Sequence, residues 1–330
     1  MYNLLNKSGD KMNEKKYYLG VDGGGSKTTA AVFDGEGRFI AEATGESINY
    51  YSVGRETARE NLKAVISRLG VDEFECAVIG MSALNERADE KTTREFCGDI
   101  VRCNKIIMNS DLYIALEALN APGECGAVIS GTGSMAVIRN ADGSVSHAGG
   151  WGYILGDEGS GYSIALSGIR AAIRAAEGSG VRTALLPACL DYFGITDIYE
   201  LIELYYDKTV SRKATAAFAE KVIGEAEEGD TAALDILERE AAELAATAKS
   251  LLDRIKSGSP IGLWGGIFQN SELYREIFTQ KLGEDYKDRV KLLDFTPEIG
   301  AVIAALRENS GYINEIMLSN IKNTYRKATL

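Results

Sequence analysis

Residues 20–28 read Gly-Val-Asp-Gly-Gly-Gly-Ser-Lys-Thr, a glycine-rich turn between two apolar, β-rich runs at residues 17–21 and 28–33. The flanking runs favour strands, so the stretch predicts a hairpin whose tip is the glycine turn. A Walker A loop would need its lysine next to a glycine and a helix immediately afterwards. Here Ser26 separates glycine from lysine and a strand pattern follows, which excludes that type of loop.

The same hairpin recurs 108 residues further along the chain. Each copy has a glycine turn between apolar runs and then a D-G turn, which is typical of two hairpins of common origin. Two similar domains are therefore predicted. The recurring residues are Gly23, Gly25, Ser26, Asp34 and Gly35 in the first copy and Gly131, Gly133, Ser134, Asp142 and Gly143 in the second.

The rest of the pattern predicts an α/β fold. Runs typical of buried strands at residues 76–79 and 105–108 alternate with helical patterns such as residues 53–69, as in a sheet that continues in parallel. Long helices rich in Ala, Glu and Leu follow Gly161. The sequence leaves open whether Met1 or Met12 is the natural start. We expect a flexible leader over residues 1–16, an N-terminal domain over 17–120, and a C-terminal domain with helical insertions over 121–330.

Composition excludes several classes of protein. The formal net charge of −12, without a run of Lys and Arg, argues against nucleic acid and anionic membranes as partners. The chain has neither a secretory signal nor an apolar run long enough to span a bilayer, so we expect a cytoplasmic protein. The five cysteines form no C-x-x-C and predict reduced thiols. The single histidine, His147, excludes a Ser-His-Asp triad and any multi-histidine metal site.

The two glycine turns predict a phosphate site. Glycines lack a Cβ, so backbone N–H groups can approach a phosphate closely. Asp22, at the end of the first strand, is then placed to hold magnesium through water. The second turn, Ile-Ser-Gly-Thr-Gly-Ser at residues 129–134, is suited to clamp the same polyphosphate. The alternative is a tight structural turn that Asp22 merely caps.

Two further motifs indicate an acceptor site. Asp111 ends the motif Asn-Ser-Asp after a strand, where α/β sheets gather their ligands, and is suited to accept the proton of a hydroxyl group. The alternative is that Ser110 or Asp111 caps a helix. Residues 149–161 place Trp151 among glycines and before two carboxylates, which suits a sugar that stacks on the ring. The alternative there is a glycine-rich linker with a buried tryptophan and a helix N-terminus at residues 157–158.

Together with Ser-Ile-Asn-Tyr at residues 47–50, these motifs resemble the N-acetylglucosamine kinases and the related ATPase family that includes benzoyl-CoA reductase and dehydratase activators. The resemblance runs from Tyr17 to the helix after Gly300. It implies an actin-like (ribonuclease H-like), duplicated two-domain fold with an inter-domain cleft. It also implies ATP and Mg²⁺ as cofactors and phosphorylation of an amino sugar, most simply N-acetylglucosamine at O6, with Asp111 as general base. A homodimer is implied by the resemblance alone.

The expected site residues combine the motifs with this resemblance. Asp22 is the expected metal ligand and Asp111 the catalytic residue, and the resemblance places the adenine near Ala216. The expected ATP contacts are Gly24, Gly25, Ser26, Lys27, Thr28, Gly131, Thr132, Gly133, Gly265 and Gly266. The expected sugar contacts are Asn49, Asp111, Gly150, Trp151, Gly152 and Asp157.

Departures from the family pattern leave alternatives open. Tyr50 and Tyr153 stand where some members have histidine, so glucosamine, N-acetylmuramic acid and N-acetylmannosamine remain candidate sugars. The activators hold an iron–sulfur cluster through cysteines, whereas residues 133–136 read Gly-Ser-Met-Ala. That difference disfavours an ATP-hydrolysing activator or regulatory ATPase. Such an ATPase remains the alternative to a sugar kinase. A sugar sensor would require a disabled Asp111 or phosphate loop, and neither is disabled in the sequence.

Overall fold

The structure is a computed structural model that describes residues 15–25, 27–84, 86–207 and 209–328. The leader predicted over residues 1–16 therefore falls almost wholly outside the described residues, as does the phosphate contact predicted for Ser26.

Strands and helices alternate along the chain as predicted. The strands are β1 (Tyr17–Gly23), β2 (Thr28–Asp34), β3 (Phe39–Gly45), β4 (Phe74–Met81), β5 (Cys103–Ser110), β6 (Cys125–Ser130), β7 (Ser134–Arg139), β8 (Val145–Gly149), β9 (Ile261–Trp264) and β10 (Val290–Leu292). The helices are α1 (Tyr50–Val53), α2 (Arg55–Ser67), α3 (Glu90–Cys97), α4 (Asp111–Glu117), α5 (Gly161–Ala176), α6 (Leu185–Phe193), α7 (Glu200–Tyr206), α8 (Arg212–Ala217), α9 (Ala219–Glu227), α10 (Thr231–Leu252), α11 (Gly266–Asn270), α12 (Glu272–Leu282), α13 (Glu284–Lys287), α14 (Pro297–Ser310) and α15 (Glu315–Ala328).

The chain divides into two compact units. The first contains the described residues up to Ala118 together with those from Phe295 onwards, and the second is Leu119–Asp294. The sequence predicted one C-terminal domain over residues 121–330, so the structure differs in returning the last segment to the first unit. The physical reason is the packing of α14 on the first sheet. A Cβ at Gly20 of β1 would lie 2.3 Å from the carbonyl oxygen of Glu298, so glycine lets this helix approach the strand.

The first unit contains a five-stranded sheet in the order β3-β2-β1-β4-β5. Strand β1 pairs antiparallel with β2 and parallel with β4, which in turn pairs parallel with β5. Because side chains alternate across a strand, Leu19 and Val21 enter the core beneath α2 and α3. Tyr18 on the opposite face packs with residues of α14 and α15. Both faces of β1 are therefore buried.

The second unit repeats this topology. Its sheet has the order β10-β9-β6-β7-β8, in which β6 pairs antiparallel with β7 and parallel with β9. Strands β6, β7, β8, β9 and β10 thus take the places of β1, β2, β3, β4 and β5. The predicted duplicated α/β fold is confirmed. Helices α5 to α10 fill the connection between the third and fourth strands, where the first unit has only α1 and α2.

The constant spacing of 108 residues between the two hairpins does not hold at the turn that follows the second strand of each hairpin. In the first unit the N–H of Asp34 donates to Arg38 and the N–H of Gly37 donates to Asp34. The equivalent bonds in the second unit are from Asn140 to Ser144 and from Gly143 to Asn140. Gly143 therefore corresponds to Gly37, with φ of 84° and 77°, and not to Gly35 as the sequence predicted. The shorter β6–β7 loop accounts for one residue of this two-residue shift, because residues 131–133 stand between paired residues, against 24–27 in the first hairpin.

All five cysteines are free, as the sequence predicted. Within the part of the chain that the structure describes, no helix is both long enough and apolar enough to cross a bilayer.

Candidate active site

Two acidic residues lie at the carboxyl edge of the first sheet. Asp22 near the end of β1 pairs with Gly80 of β4, which pairs with Asn109 of β5. Asp111 follows two residues after Asn109 and is the first residue of α4. A Cβ at Gly80 would lie 2.3 Å from Cδ1 of Ile114, so this glycine lets α4 pack closely against β4. Ligands bind at such carboxyl edges in α/β sheets.

Asp111 is not the N-cap of α4. The N-cap of α4 is Ser110, which is buried and whose Oγ accepts a hydrogen bond of 3.2 Å from the N–H of Tyr113. Asp111 is only partly buried. The capping alternative is therefore satisfied by Ser110, which leaves the Asp111 carboxylate available for a ligand.

Burial makes both carboxylates unusual acids, and repulsion from neighbouring charges adds to the effect at Asp22. The pKa of Asp22 rises to about 7, chiefly through burial and then through the negative charges of Glu298 and Asp111, while Lys27 lowers it. The pKa of Asp111 rises to about 6, again through burial, against the lowering effect of backbone N–H groups at Leu112 and Asp111 itself. Burial also raises the pKa of Glu298, in the first turn of α14. Such clustered, perturbed acids are typical of functional sites.

These carboxylates suit a hydrated cation better than a metal held by protein atoms alone. In the described ranges no three His, Cys, Asp or Glu side chains come close enough to hold a metal ion. Magnesium usually keeps several waters and takes one or two carboxylates together with substrate phosphates. Asp22 fits that role because a divalent cation would offset the repulsion that raises its pKa.

The first glycine turn is tied to the segment that contains Asn49. The N–H of Gly24 donates to the carbonyl of Lys27 (3.0 Å), and Ser47 Oγ donates to the carbonyl of Gly24 (2.9 Å). A Cβ at Gly25 would meet no atom within 4 Å, so this part of the turn is open. Thr28 is fully buried and its hydroxyl donates to the carbonyl of Glu46 (2.8 Å). Its side chain therefore supports the turn from within, which the motif alone did not indicate.

Asn49 also has a local structural role. Its Oδ1 accepts hydrogen bonds from the N–H groups of Tyr51 (3.0 Å) and Ser52 (3.3 Å), which caps α1. Its Nδ2 donates to Ser82 Oγ (2.9 Å), and the N–H of Ser82 donates to the carbonyl of Gly23 (3.0 Å). Asn49 thus connects α1 to the first glycine turn.

The second glycine turn borders a cavity of about 750 Å³ inside the second unit. The carbonyl of Gly131 accepts from the N–H of Gly161, the first residue of α5 (2.7 Å). Gly265 has φ of 105°, and a Cβ there would lie 2.2 Å from the carbonyl oxygen of Ser130. Only glycine fits that approach. The cavity is lined by Gly131, Thr132, Gly161, Lys213, Ala216, Ala217, Ala219, Glu220, Ile223, Gly224, Glu227, Gly266, Ile267, Asn270 and Ser271.

This cavity brings together several residues that the sequence predicted for ATP. Gly131 and Thr132 from the second turn, Gly266 after β9 and Ala216 on α8 all line it. Its volume is within the range of small-molecule and cofactor sites. The polar lining residues Lys213, Glu220 and Asn270 were not predicted, because they lie in helical segments without a recognisable motif.

Trp151 is exposed. Gly150 and Gly152 on either side have φ of 73° and 81°, and the tryptophan side chain keeps 75% of its surface accessible. Ile154 and Leu155 are 77% exposed. The alternative of a linker that buries its tryptophan is wrong. The ring of Trp151 is therefore accessible to a ligand.

Asp157, an expected sugar contact, has a side chain that is only 4% exposed. Its carboxylate accepts hydrogen bonds from the N–H groups of Ser134 and Gly152, and Arg212 Nη2 lies 2.8 Å from its Oδ2. Burial raises the pKa of Asp157, whereas these two N–H groups and Arg212 lower it and Glu158 raises it. Arg212, at the start of α8, is a residue that the sequence reasoning missed.

The predicted site residues fall into one set in each unit. The set in the first unit is Asp22, Gly24, Gly25, Lys27, Thr28, Asn49 and Asp111. The set in the second unit is Gly131, Thr132, Gly133, Gly150, Trp151, Gly152, Asp157, Gly265 and Gly266.

Comparison with known proteins identifies the family. Residues 19–305 match the sequence profile of the BadF/BadG/BcrA/BcrD ATPase family. The chain belongs to this family. One relative, an N-acetylmuramic acid/N-acetylglucosamine kinase of Clostridium acetobutylicum, is 30% identical over 304 residues, which are 89% of this chain and 99% of the relative. An N-acetyl-D-glucosamine kinase of Dictyostelium discoideum is 28% identical over 88% of this chain and 98% of its own.

Solved structures support the same fold for this member of the BadF/BadG/BcrA/BcrD ATPase family. A candidate N-acetylglucosamine kinase from Porphyromonas gingivalis superposes with a TM-score of 0.67 at 22% identity, over 90% of this chain and all of its own. A ROK family glucokinase from Streptomyces griseus, solved with glucose and AMPPNP, has a TM-score of 0.54 at 18% identity over 88% of this chain and 98% of its own. The predicted actin-like, duplicated α/β fold is confirmed.

Proposed function

We propose that this chain is an ATP-dependent amino sugar kinase that transfers the γ-phosphoryl group of Mg-ATP to a hydroxyl group of an amino sugar. The observation that carries the proposal is the Asp111 carboxylate, which lies at the carboxyl edge of the first sheet next to the N-cap Ser110, with Asp22 two strands away. The substrate we favour is N-acetylglucosamine, phosphorylated at O6. The name of the Clostridium acetobutylicum relative makes N-acetylmuramic acid the first alternative, followed by glucosamine and N-acetylmannosamine.

Asp111 acts as the general base in this proposal. Phosphoryl transfer requires a carboxylate that orients the acceptor hydroxyl and accepts its proton as the oxygen attacks the γ-phosphorus in line. The backbone at Gly25, where a Cβ would meet no atom within 4 Å, and at Gly131 and Thr132, which line the cavity, is suited to contact phosphates. Asp22 would hold Mg²⁺ through water, and the ion when bound supplies charge neutralisation at the phosphates. Trp151 offers its exposed ring to the sugar.

A substrate panel tests this function. We expect coupled ADP release with Mg-ATP to rise at least about tenfold on addition of N-acetylglucosamine or N-acetylmuramic acid, because an alcohol acceptor completes the reaction. Hexoses without the N-acetyl group and a reaction without sugar serve as controls. An ATP turnover rate that no sugar changes would contradict the proposal and favour a regulatory or activator ATPase.

The pH dependence should report the base. At saturating Mg-ATP, kcat/KM for the sugar is expected to fall as the pH drops through about 6, because Asp111 must be ionised to accept a proton. The effect on stability has the opposite sign. The pKa of Asp111 in the folded chain lies above the ordinary value of 3.8, so its protonation stabilises the fold as the pH falls through the same range.

The Tm of the wild type relative to an Asp111→Asn variant should therefore rise on acidification while the activity of the wild type declines. A pH–rate profile that stays flat through about pH 6 would contradict the role of Asp111 as base.

A further inference from the structure

Arg212 lies where the start of α8 meets Asp157 in the second unit, a contact that no motif indicated. It is the first residue of α8, directly after the N-cap Ser211, whose Oγ accepts from the N–H of Ala214 (3.1 Å). Its Nη2 lies 2.8 Å from Oδ2 of Asp157. The arginine side chain is 41% exposed, whereas that of Asp157 is 4% exposed. The guanidinium group therefore covers a buried carboxylate and still faces solvent.

Aromatic stacking fixes the orientation of this guanidinium group. Its Cζ lies 5.0 Å from the centroid of the Tyr153 ring, a cation–π distance. Tyr153 in turn makes an edge-on contact of 4.9 Å with Tyr162 in the first turn of α5. Arg212 is thus held between a carboxylate and a ring that belong to the same glycine-rich segment, residues 149–161, which we call the acceptor segment.

The ion pair also lies against the second glycine turn. A Cβ at Gly133 would be 2.8 Å from Asp157 Oδ2 and 3.1 Å from Arg212 Nη2. The Asp157 carboxylate further accepts from the N–H groups of Ser134, just after that turn, and Gly152, in the acceptor segment. The Asp157 carboxylate therefore contacts the second glycine turn, the acceptor segment and the start of α8.

Arg212 is one of the groups that favour the ionised form of Asp157. The φ of 64° at Asp157 is unusual for a residue other than glycine, so surrounding contacts must offset the conformational strain. Glu158 adds a second negative charge next to it. Removing the arginine would leave a buried, unpaired carboxylate, which is a strongly unfavourable arrangement.

We propose that Arg212 is a positioning residue that couples the binding of nucleotide at the second glycine turn to the binding of sugar at the acceptor segment. It acts through Asp157, whose carboxylate holds both segments. The inference rests on the proposed kinase function. Because coupling between two ligands is reciprocal, each ligand should bind more tightly in the presence of the other, by the same factor.

The test compares Arg212→Met with Arg212→Lys and a control, Arg170→Met, at an exposed arginine of α5. Calorimetry gives the Kd of AMPPNP with Mg²⁺ in the absence and presence of N-acetylglucosamine, and steady-state kinetics give kcat and KM. In Arg212→Met we expect KM for ATP and for N-acetylglucosamine each to rise about tenfold and the mutual enhancement of binding to fall toward one. Arg212→Lys should recover part of the loss, because lysine supplies the charge without the planar stacking group. Arg170→Met should match the wild type.

Several results would overturn the inference. A loss confined to ATP would assign Arg212 a direct contact with phosphate, and a loss confined to N-acetylmuramic acid would assign it a contact with the sugar carboxylate. A result equal to that of Arg170→Met would make the ion pair a surface feature without a positioning role.

Failure of the proposed function is distinguishable from failure of this inference. If the proposed function is wrong, the wild type shows no sugar-dependent turnover at all. The Kd of AMPPNP without sugar still tests the contact of the ion pair with the second glycine turn. Arg212→Met leaves the Asp157 carboxylate against Gly133 unpaired and should weaken this Kd about tenfold, whereas Arg170→Met should not. An unchanged Kd there would refute the link whatever the acceptor is.

Discussion

An Asp111→Asn variant is expected to lose about a hundredfold to ten-thousandfold in kcat, the usual contribution of a positioned general base. The amide keeps the size of the side chain and the first position of α4 but cannot accept the hydroxyl proton. The Kd of AMPPNP with Mg²⁺ should stay within about threefold of the wild type, because the loss is confined to the chemical step. The measurements are coupled ADP release with the best sugar of the panel and calorimetric titration of the nucleotide.

A matched control is available in the same unit. Glu90 is the first residue of α3, after the N-cap Asp89, and is exposed. A Glu90→Gln variant removes a carboxylate from the same helix position without touching the carboxyl edge of the sheet, so its kcat should equal that of the wild type. If Asp111→Asn retains full turnover, another group is the base and the proposed mechanism is incorrect.

A Gly265→Ala variant should show the largest loss of stability among single-methyl additions to the second unit. The backbone there has φ of 105° and ψ of 158°, a region almost restricted to glycine, and the new Cβ would lie 2.2 Å from the carbonyl oxygen of Ser130. Conformational strain costs about 1–3 kcal/mol and the steric overlap about as much again. We therefore expect a loss of about 3–5 kcal/mol in the free energy of unfolding, measured by urea denaturation.

The same substitution should abolish nucleotide binding, because Ser130 leads into the second glycine turn and Gly266 lines the cavity. Gly258→Ala is the control for conformational strain alone, so the difference between the two variants gives the steric part of the effect. Its φ is 95°, yet a Cβ there meets no atom within 4 Å, so only conformational strain of about 1–3 kcal/mol applies. Equal losses of stability in the two variants would show that the close approach to Ser130 has no energetic importance.

The local sequence was a good guide to the hairpins because their signals are local. Alternating apolar residues, glycines at turns and the repeated motif around Gly23 and Gly131 predicted two related sheets, and both sheets have the same strand order. The corresponding turns were aligned incorrectly at Gly143. A change in loop length alters register without leaving a mark in the residue types.

Three site residues show what the motif could not reveal. Thr28 and Asp157 both have the residue type expected of ligand contacts, but the structure buries them and pairs them with Glu46 in one case and with Ser134 and Arg212 in the other. Arg212 lies 55 residues from Asp157 in the chain. No short pattern can indicate a partner at that separation, because only the folded helices bring α8 to the acceptor segment.

The sequence by itself determined the two glycine hairpins, the α/β class, the position of Asp111 after a strand and the likeness to amino sugar kinases. These properties depend on residue type and spacing over a few turns or strands. Tertiary structure alone decided that the C-terminal helices return to the first unit, that Ser110 and not Asp111 caps α4, and that Asp157 pairs with Arg212. The physical reason is that burial, close backbone approach and charge pairing arise between distant segments, and they exist only once those segments pack.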